Sequence, residues 1–210
     1  MNEKCILCES TLIETYQNEI LLKCQNCALV FKVSSQLLSK EKEEQRYLLH
    51  KNTIEDVGYL KFLEPVLKRI VGNYQKDSKG LDYGSGPTPV LTELLTRSGY
   101  HVIPYDPFFS NININDLTAI NFITCTEVAE HFYNPKKEFQ NIFSILAPLG
   151  QLLLMTELYT AKTDFTKWYY AQDITHVSFY CRKTLDYLAR MYSSQLVEVT
   201  DRVFEFQKRI

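Results

Sequence analysis

The stretch Leu81-Asp82-Tyr83-Gly84-Ser85-Gly86-Pro87-Thr88-Pro89 constrains the fold of this chain more than any other. An apolar and aromatic approach ends in an acid, and the glycines at 84 and 86 let the backbone turn sharply and come close to a ligand. Pro87 and Pro89 suit the first turn of a helix, where a missing N–H costs nothing, and Val90-Leu91-Thr92-Glu93-Leu94-Leu95 continues with helical apolar spacing. Strand, tight turn and helix in that order are the unit of an α/β sheet that binds ligands beyond its strand ends.

The loop lacks the third glycine of G-x-G-x-x-G, because Pro89 stands there, and this weakens a dinucleotide reading. Asp82 would repel a pyrophosphate and suits a cofactor with a positive amino group near the turn, of which S-adenosylmethionine is the type. A second strand, Gly99 to Tyr105, ends at Asp106, about twenty residues past the loop, the offset at which a carboxylate accepts from both ribose hydroxyls. Pro107 with Phe108 and Phe109 offers surface to flank adenine, with Asp116 in reach of its amino group. The expected cofactor set is therefore Asp82, Gly84, Gly86, Asp106 and Pro107, joined by Glu127 at the next strand end.

Ala119 to Thr126 is a continuous apolar run suited to a buried parallel strand, and it delivers Glu127, Glu130 and His131 at its carboxyl end. Ionisable groups there need partners: protons, a substrate or a metal. Pro135 to Ala147 reads as a helix whose Phe139, Ile142, Phe143 and Leu146 face the core, and Gln151 to Thr156 as the next strand, ending at Glu157. The segment 165–180 mixes Trp168, several tyrosines, Asp173 and His176, a composition suited to a substrate pocket. Tyr47, His50 and Asn52, with Arg46, lie where a lid over the cofactor would sit. Residues 182–191 read as a helix, and 195–200 with 202–206 as a terminal antiparallel pair.

Cys5-x-x-Cys8 and Cys24-x-x-Cys27 form two knuckles, each aiming two thiolates at one point, the layout of a closed, structural zinc ribbon. A redox motif or secreted disulfides are the alternatives; paired knuckles without a secretory signal favour zinc. Cys125 and Cys181, in apolar surroundings, read as core thiols. At 210 residues, 45% hydrophobic, the chain has room for a ribbon (1–33), a polar helical linker or lid (34–57) and one α/β domain (58–210). The net charge of −2 with scattered Lys and Arg gives no bulk attraction to nucleic acid, although a specific RNA remains open. No apolar run suits a membrane span or signal peptide, so a soluble, cytoplasmic protein acting on a small molecule is expected, its oligomeric state open.

Asp82-x-Gly84-x-Gly86, Asp106, Glu127-x-x-Glu130-His131 and Trp168…Asp173-x-Thr175-His176-x-x-Phe179 together resemble the class I S-adenosylmethionine-dependent methyltransferases, and more narrowly a bacterial branch with an N-terminal zinc ribbon. The resemblance implies a Rossmann-like, seven-stranded, mostly parallel sheet with a reversed last strand. The Glu-x-x-Glu-His element is also similar to one that binds a divalent metal in ubiquinone-pathway O-methyltransferases and small-RNA 3′-terminal 2′-O-methyltransferases. Carried across, Glu127, Glu130 and His131, with His176 as a fourth, would ligate Mg²⁺ or Mn²⁺. The metal-free alternative makes His131 or His176 a general base oriented by the glutamates. The expected reaction is direct displacement of the sulfonium methyl, most simply by a hydroxyl of a small metabolite. Other readings are an RNA methyltransferase docked by its ribbon, a non-catalytic module that binds the cofactor or a partner, and an NAD-dependent oxidoreductase.

Overall fold

The computed structural model describes residues 3–49 and 52–209. In chain order it runs β1 (Ile13–Tyr16), β2 (Asn18–Cys24), β3 (Val30–Lys32), α1 (Lys40–Tyr47), α2 (Val57–Asn73), β4 (Lys79–Tyr83), α3 (Val90–Arg97) and β5 (His101–Tyr105). It continues with β6 (Ile120–Thr126), α4 (Pro135–Ile145), β7 (Leu146–Met155), α5 (Tyr169–Gln172), β8 (Ser178–Phe179), α6 (Arg182–Met191), β9 (Ser194–Glu198) and β10 (Val203–Lys208).

The main sheet has the order β5-β4-β6-β7-β10-β9. Pairing is parallel from β5 to β7, whereas β10 runs antiparallel to both β7 and β9, so the last strand is the reversed one. The described residues contribute six strands to this sheet where the family pattern implies seven. In the connection from β5 to β6, Ile114–Asp116 forms a 3-10 turn, and the Asn113 side chain accepts from the Asn115 N–H. Such local side-chain bonds offer the backbone an alternative to a ladder, and the sheet ends at β5.

The continuous apolar strands bury both faces by simple alternation. On β7, Leu152 and Leu154 join a core with Phe139, Ile142 and Phe143 of α4 and Leu185 and Leu188 of α6. Leu153 and Met155 join the opposite core with Leu63, Val66 and Ile70 of α2 and Leu91 and Leu95 of α3. A charged pair closes the second face, where Arg69 donates to both carboxylate oxygens of the buried Glu205 at 2.7 and 3.0 Å.

The N-terminal strands form a second sheet, β1-β2-β3-β8, in which β8 comes from far along the chain. Cys5, Leu7, Cys24, Cys27, Leu29 and Phe31 belong to the same buried core as α4 and α6, so the cysteine segment is packed into the body.

Candidate functional site

The glycine loop leaves β4 with Gly84 at φ +81° and Gly86 at φ +67°, both in the left-handed region. The Gly84 and Ser85 N–H groups donate to the Tyr105 carbonyl at 2.7 and 3.0 Å, which locks the loop onto the end of β5. Gly84 is also sterically required, since a Cβ there would lie 2.5 Å from both Cγ atoms of Val128, while nothing lies within 4 Å of one built on Gly86.

Below the loop, Asp82 is buried and spent on structure. One oxygen accepts from Thr92 Oγ1 at 2.8 Å and the other from Thr124 Oγ1 at 3.0 Å, tying α3 and β6 to the loop. It is not among the residues lining the cavity above, so the expected direct cofactor contact is replaced by support of the loop. Asp106 does line the cavity. Its carboxylate accepts from the Gly86 N–H at 3.0 Å and the Phe108 N–H at 2.8 Å, and burial raises its pKa. Four acceptor positions less those two leave room for a ribose diol.

That cavity measures about 1000 Å³ and runs from the loop, through Asp106, Pro107 and Phe108, to Glu127, Glu130, His131 and His176. Tyr47 and Asn52 line it, while His50 lies outside the described residues. From α1, Tyr47 packs edge-on against Phe108 and His131, each at 5.4 Å between ring centres, and its hydroxyl donates to the buried Glu43 at 2.7 Å. Lys40 stands 5.6 Å from the Phe108 ring centre.

At the floor the two histidines lie edge to face with ring centres 4.7 Å apart. His131 Nδ1 is 3.1 Å from the Thr175 carbonyl and His176 Nδ1 is 2.7 Å from the Tyr170 carbonyl. A carbonyl only accepts, so each Nδ1 carries a proton and Nε2 is the ring nitrogen left to face a ligand. Ligand atoms of Glu130, His131 and His176 all lie within 4.8 Å of one another. Glu130 is fully buried; its Oε2 accepts from Thr156 Oγ1 at 3.0 Å, and its Oε1 has no hydrogen-bond partner. Burial, with the Glu127 charge adding, pushes this carboxyl up to about 8. Glu127, at φ +53°, stands outside the group of three. Burial raises it to about 7 against the opposing pull of Arg202, whose guanidinium lies 3.7 Å away.

Two residues expected in the pocket lie elsewhere. The Trp168 indole donates to Glu157 at 2.7 Å and packs against Phe165, Tyr170 and Phe179, in the apolar cluster that also holds Leu21 and Val30. Asp173 accepts from the Thr175 N–H and Oγ1 at 2.9 and 2.6 Å, bonds that shape the turn before His176 and hold its carboxyl down at about 2 despite burial. Sequence reasoning missed Arg202, which pairs with Glu157, and Tyr170, whose hydroxyl meets Thr156 at 3.0 Å. The first was legible, since a reversed strand beside β7 must begin where β7 ends.

At the N-terminus all four cysteines are free and their sulfurs converge. Cys5 and Cys27 are 3.5 Å apart, and Cys8 and Cys24 are 3.4 Å apart, too long for disulfides and close to the roughly 3.8 Å edge of a tetrahedral zinc–thiolate site. The Cys27 thiol bonding to the Cys5 sulfur draws Cys5 down to about 5, and the same contact, with burial, pushes Cys27 up. Among the described residues no helix is long and apolar enough to cross a membrane.

Comparison with known folds agrees with this geometry. The magnesium protoporphyrin IX methyltransferase of Synechocystis PCC 6803, solved with bound SAH, superposes with TM-score 0.58 at 14% identity over 81% of this chain and 95% of that one. A 1,6-didemethyltoxoflavin-N1-methyltransferase of Burkholderia thailandensis gives 0.53 at 13% identity over 87% and 96%. An O-methyltransferase family protein of the same organism gives 0.55 at 10% identity, covering 80% of this chain and 62% of that chain. At these identities the likeness concerns the fold, and no curated protein sequence matches the chain. A family model described as a methyltransferase domain matches residues 56–198, which include the glycine loop, Asp106, Glu130 and both histidines. The chain belongs to that family, the S-adenosylmethionine-dependent methyltransferases.

Proposed function

We propose that this protein methylates a hydroxyl of a small molecule by direct displacement, with the hydroxyl proton passing to Nε2 of His131 or His176. The observation that carries this reading is the pair of Nδ1-protonated imidazoles in one cavity with the glycine loop and Asp106. Bound S-adenosylmethionine supplies an already activated methyl group, so the protein needs to align a nucleophile and accept one proton. Gly84, Gly86 and Asp106 hold the nucleoside end, Pro107 and Phe108 flank the adenine, and Tyr47 and Asn52 close the cavity from the lid. A cavity of about 1000 Å³ is the size of a small-molecule site.

Glu130, His131 and His176 also form a donor set for a divalent cation such as Mg²⁺ or Mn²⁺, and the buried Oε1 without a hydrogen-bond partner supports it. Such an ion would occupy the two Nε2 atoms, so it is the alternative to proton acceptance there and would supply Lewis acidity toward a substrate hydroxyl instead. Cys5, Cys8, Cys24 and Cys27 would hold a structural Zn²⁺. The ribbon at 1–33, lid at 34–57 and body at 58–210 divide these tasks.

The test is transfer of labelled methyl from S-adenosylmethionine to a panel of hydroxylated small molecules, with calorimetry of cofactor binding alongside. His131→Ala and His176→Ala are expected to lower kcat by about 10²–10⁴-fold with cofactor affinity retained. Preference for NAD over S-adenosylmethionine, or full turnover in both variants, would refute the reading.

A further inference from the structure

The hydrogen bonds that fix the two imidazoles both lead back to the cysteine ribbon. His131 is held by the carbonyl of Thr175, in the segment 173–179 that carries His176 itself. Lys32, the last residue of β3, grips that segment from the ribbon side. Its Nζ donates to the carbonyls of Asp173 at 3.1 Å and Ile174 at 3.3 Å, and its backbone N–H donates to Val177 at 2.9 Å. The pairing continues as β3 meets β8, Val30 opposite Phe179 and Phe31 opposite Ser178. On its other side the same segment is bonded to the Glu130 turn, by the Val177 N–H to the Glu130 carbonyl at 2.8 Å and by Ser178 Oγ to the Phe132 carbonyl at 2.9 Å. Tyr170, whose carbonyl holds His176, packs in one apolar cluster with Leu21 and Val30 of the ribbon.

We infer that the ribbon is a buttress of the histidine pair, and that Lys32 is a positioning residue for methyl transfer. Thr175 and Tyr170 supply the carbonyls that set both tautomers, and both stand on ribbon contacts. An ammonium suits the task because one group with three donors spans two successive carbonyls. Desolvation lowers the Lys32 pKa, in keeping with a side chain committed to the interior of this seam. Residues 82–106, which carry the cofactor loop and Asp106, make none of these bonds, so Lys32 acts on the acceptor side of the cavity alone.

The part of this inference that concerns methyl transfer rests on the histidines accepting the proton; the structural part does not. The test uses the full chain with ¹⁵N-labelled histidine, comparing wild type, Lys32→Met and Lys32→Arg. In the wild type, His131 and His176 are expected as Nδ1–H tautomers with slow proton exchange. Lys32→Met is expected to speed that exchange at least tenfold and lower kcat at least tenfold, with the S-adenosylmethionine Kd within twofold. Lys32→Arg, which still reaches two carbonyls, restores both. Withdrawing the metal from the ribbon with a thiol reagent and a chelator should reproduce the spectral change of Lys32→Met. If Lys32→Met loses its cooperative thermal transition, Lys32→Gln, which keeps one donor, carries the same readouts. Wild-type exchange in folded Lys32→Met or Lys32→Gln overturns the inference whatever the activity. Faster exchange in Lys32→Met combined with full activity in His131→Ala and His176→Ala leaves the buttress standing and removes the functional reading instead.

Discussion

Gly84 and Gly86 share a backbone conformation and differ in surroundings, so substituting each with alanine separates two costs. At either site a side chain in the left-handed region costs roughly 1–2 kcal/mol. At Gly86 that is the whole expected loss, since nothing lies within 4 Å of the new Cβ. At Gly84 the Cβ would lie 2.5 Å from both Val128 Cγ atoms, and overpacking of this kind adds roughly 1–3 kcal/mol, for a total of roughly 2–5. Val128→Ala removes the two offending carbons while leaving Cβ at 3.0 Å, so Gly84→Ala should cost less by at least about 1 kcal/mol in the Val128→Ala background. The assay is urea unfolding followed by the fluorescence of Trp168, the single tryptophan of the chain. Equal costs at the two glycines, or a Gly84→Ala cost indifferent to Val128, would refute the steric argument.

Three further outcomes are expected. Asp106→Ala should weaken S-adenosylmethionine binding by more than tenfold, about 1.4 kcal/mol, in a calorimetric titration, and unchanged affinity would reassign the ribose contact. Purified protein should contain one zinc per chain by elemental analysis, and stripping it should unfold the ribbon; activity that survives chelation and gains nothing from Mg²⁺ would remove the cation from the Glu130 group. Burial holds Glu127 and Glu130 at about 7 and about 8, above the ordinary 4.5 of a glutamate, so between those values the native state binds more protons than the unfolded chain. Stability of the cation-free protein should therefore be fully present below pH 4.5 and fall toward pH 8, by at most about 1.4 kcal/mol per unit per group, and Glu130→Gln should flatten that fall in thermal scans. A wild-type profile that rises with pH over the same window would contradict it.

What the sequence disclosed and what it hid divide along local and distant contacts. The strand–loop–helix unit and the run from Ile120 to Glu127 were legible because periodicity and glycine chemistry act over a few residues. The terminal pair was equally plain, with β9 and β10 close to their expected bounds. Asp82 was misassigned because its partners come from two other elements, Thr92 on α3 and Thr124 on β6, and no spacing rule brings them together. Trp168 was misplaced because an aromatic-rich connection has the composition of a pocket wall and of a packed seam alike. The attachment of β8 to the ribbon had no local signature at all, since two residues of strand carry it.

At one edge the sheet stops at β5, and that edge strand is built to stop it. Because the Tyr105 carbonyl turns inward to the glycine loop, alternation turns the neighbouring Pro104 to the outer edge, where a proline has no N–H to offer. An edge strand with its donors exposed is a template for another chain, and a proline breaks that template. Two neighbouring residues thus serve two sides of one strand: the Tyr105 carbonyl holds the glycine loop on the inner side, and Pro104 offers no donor to a stray partner on the outer side, which guards that edge against edge-to-edge pairing.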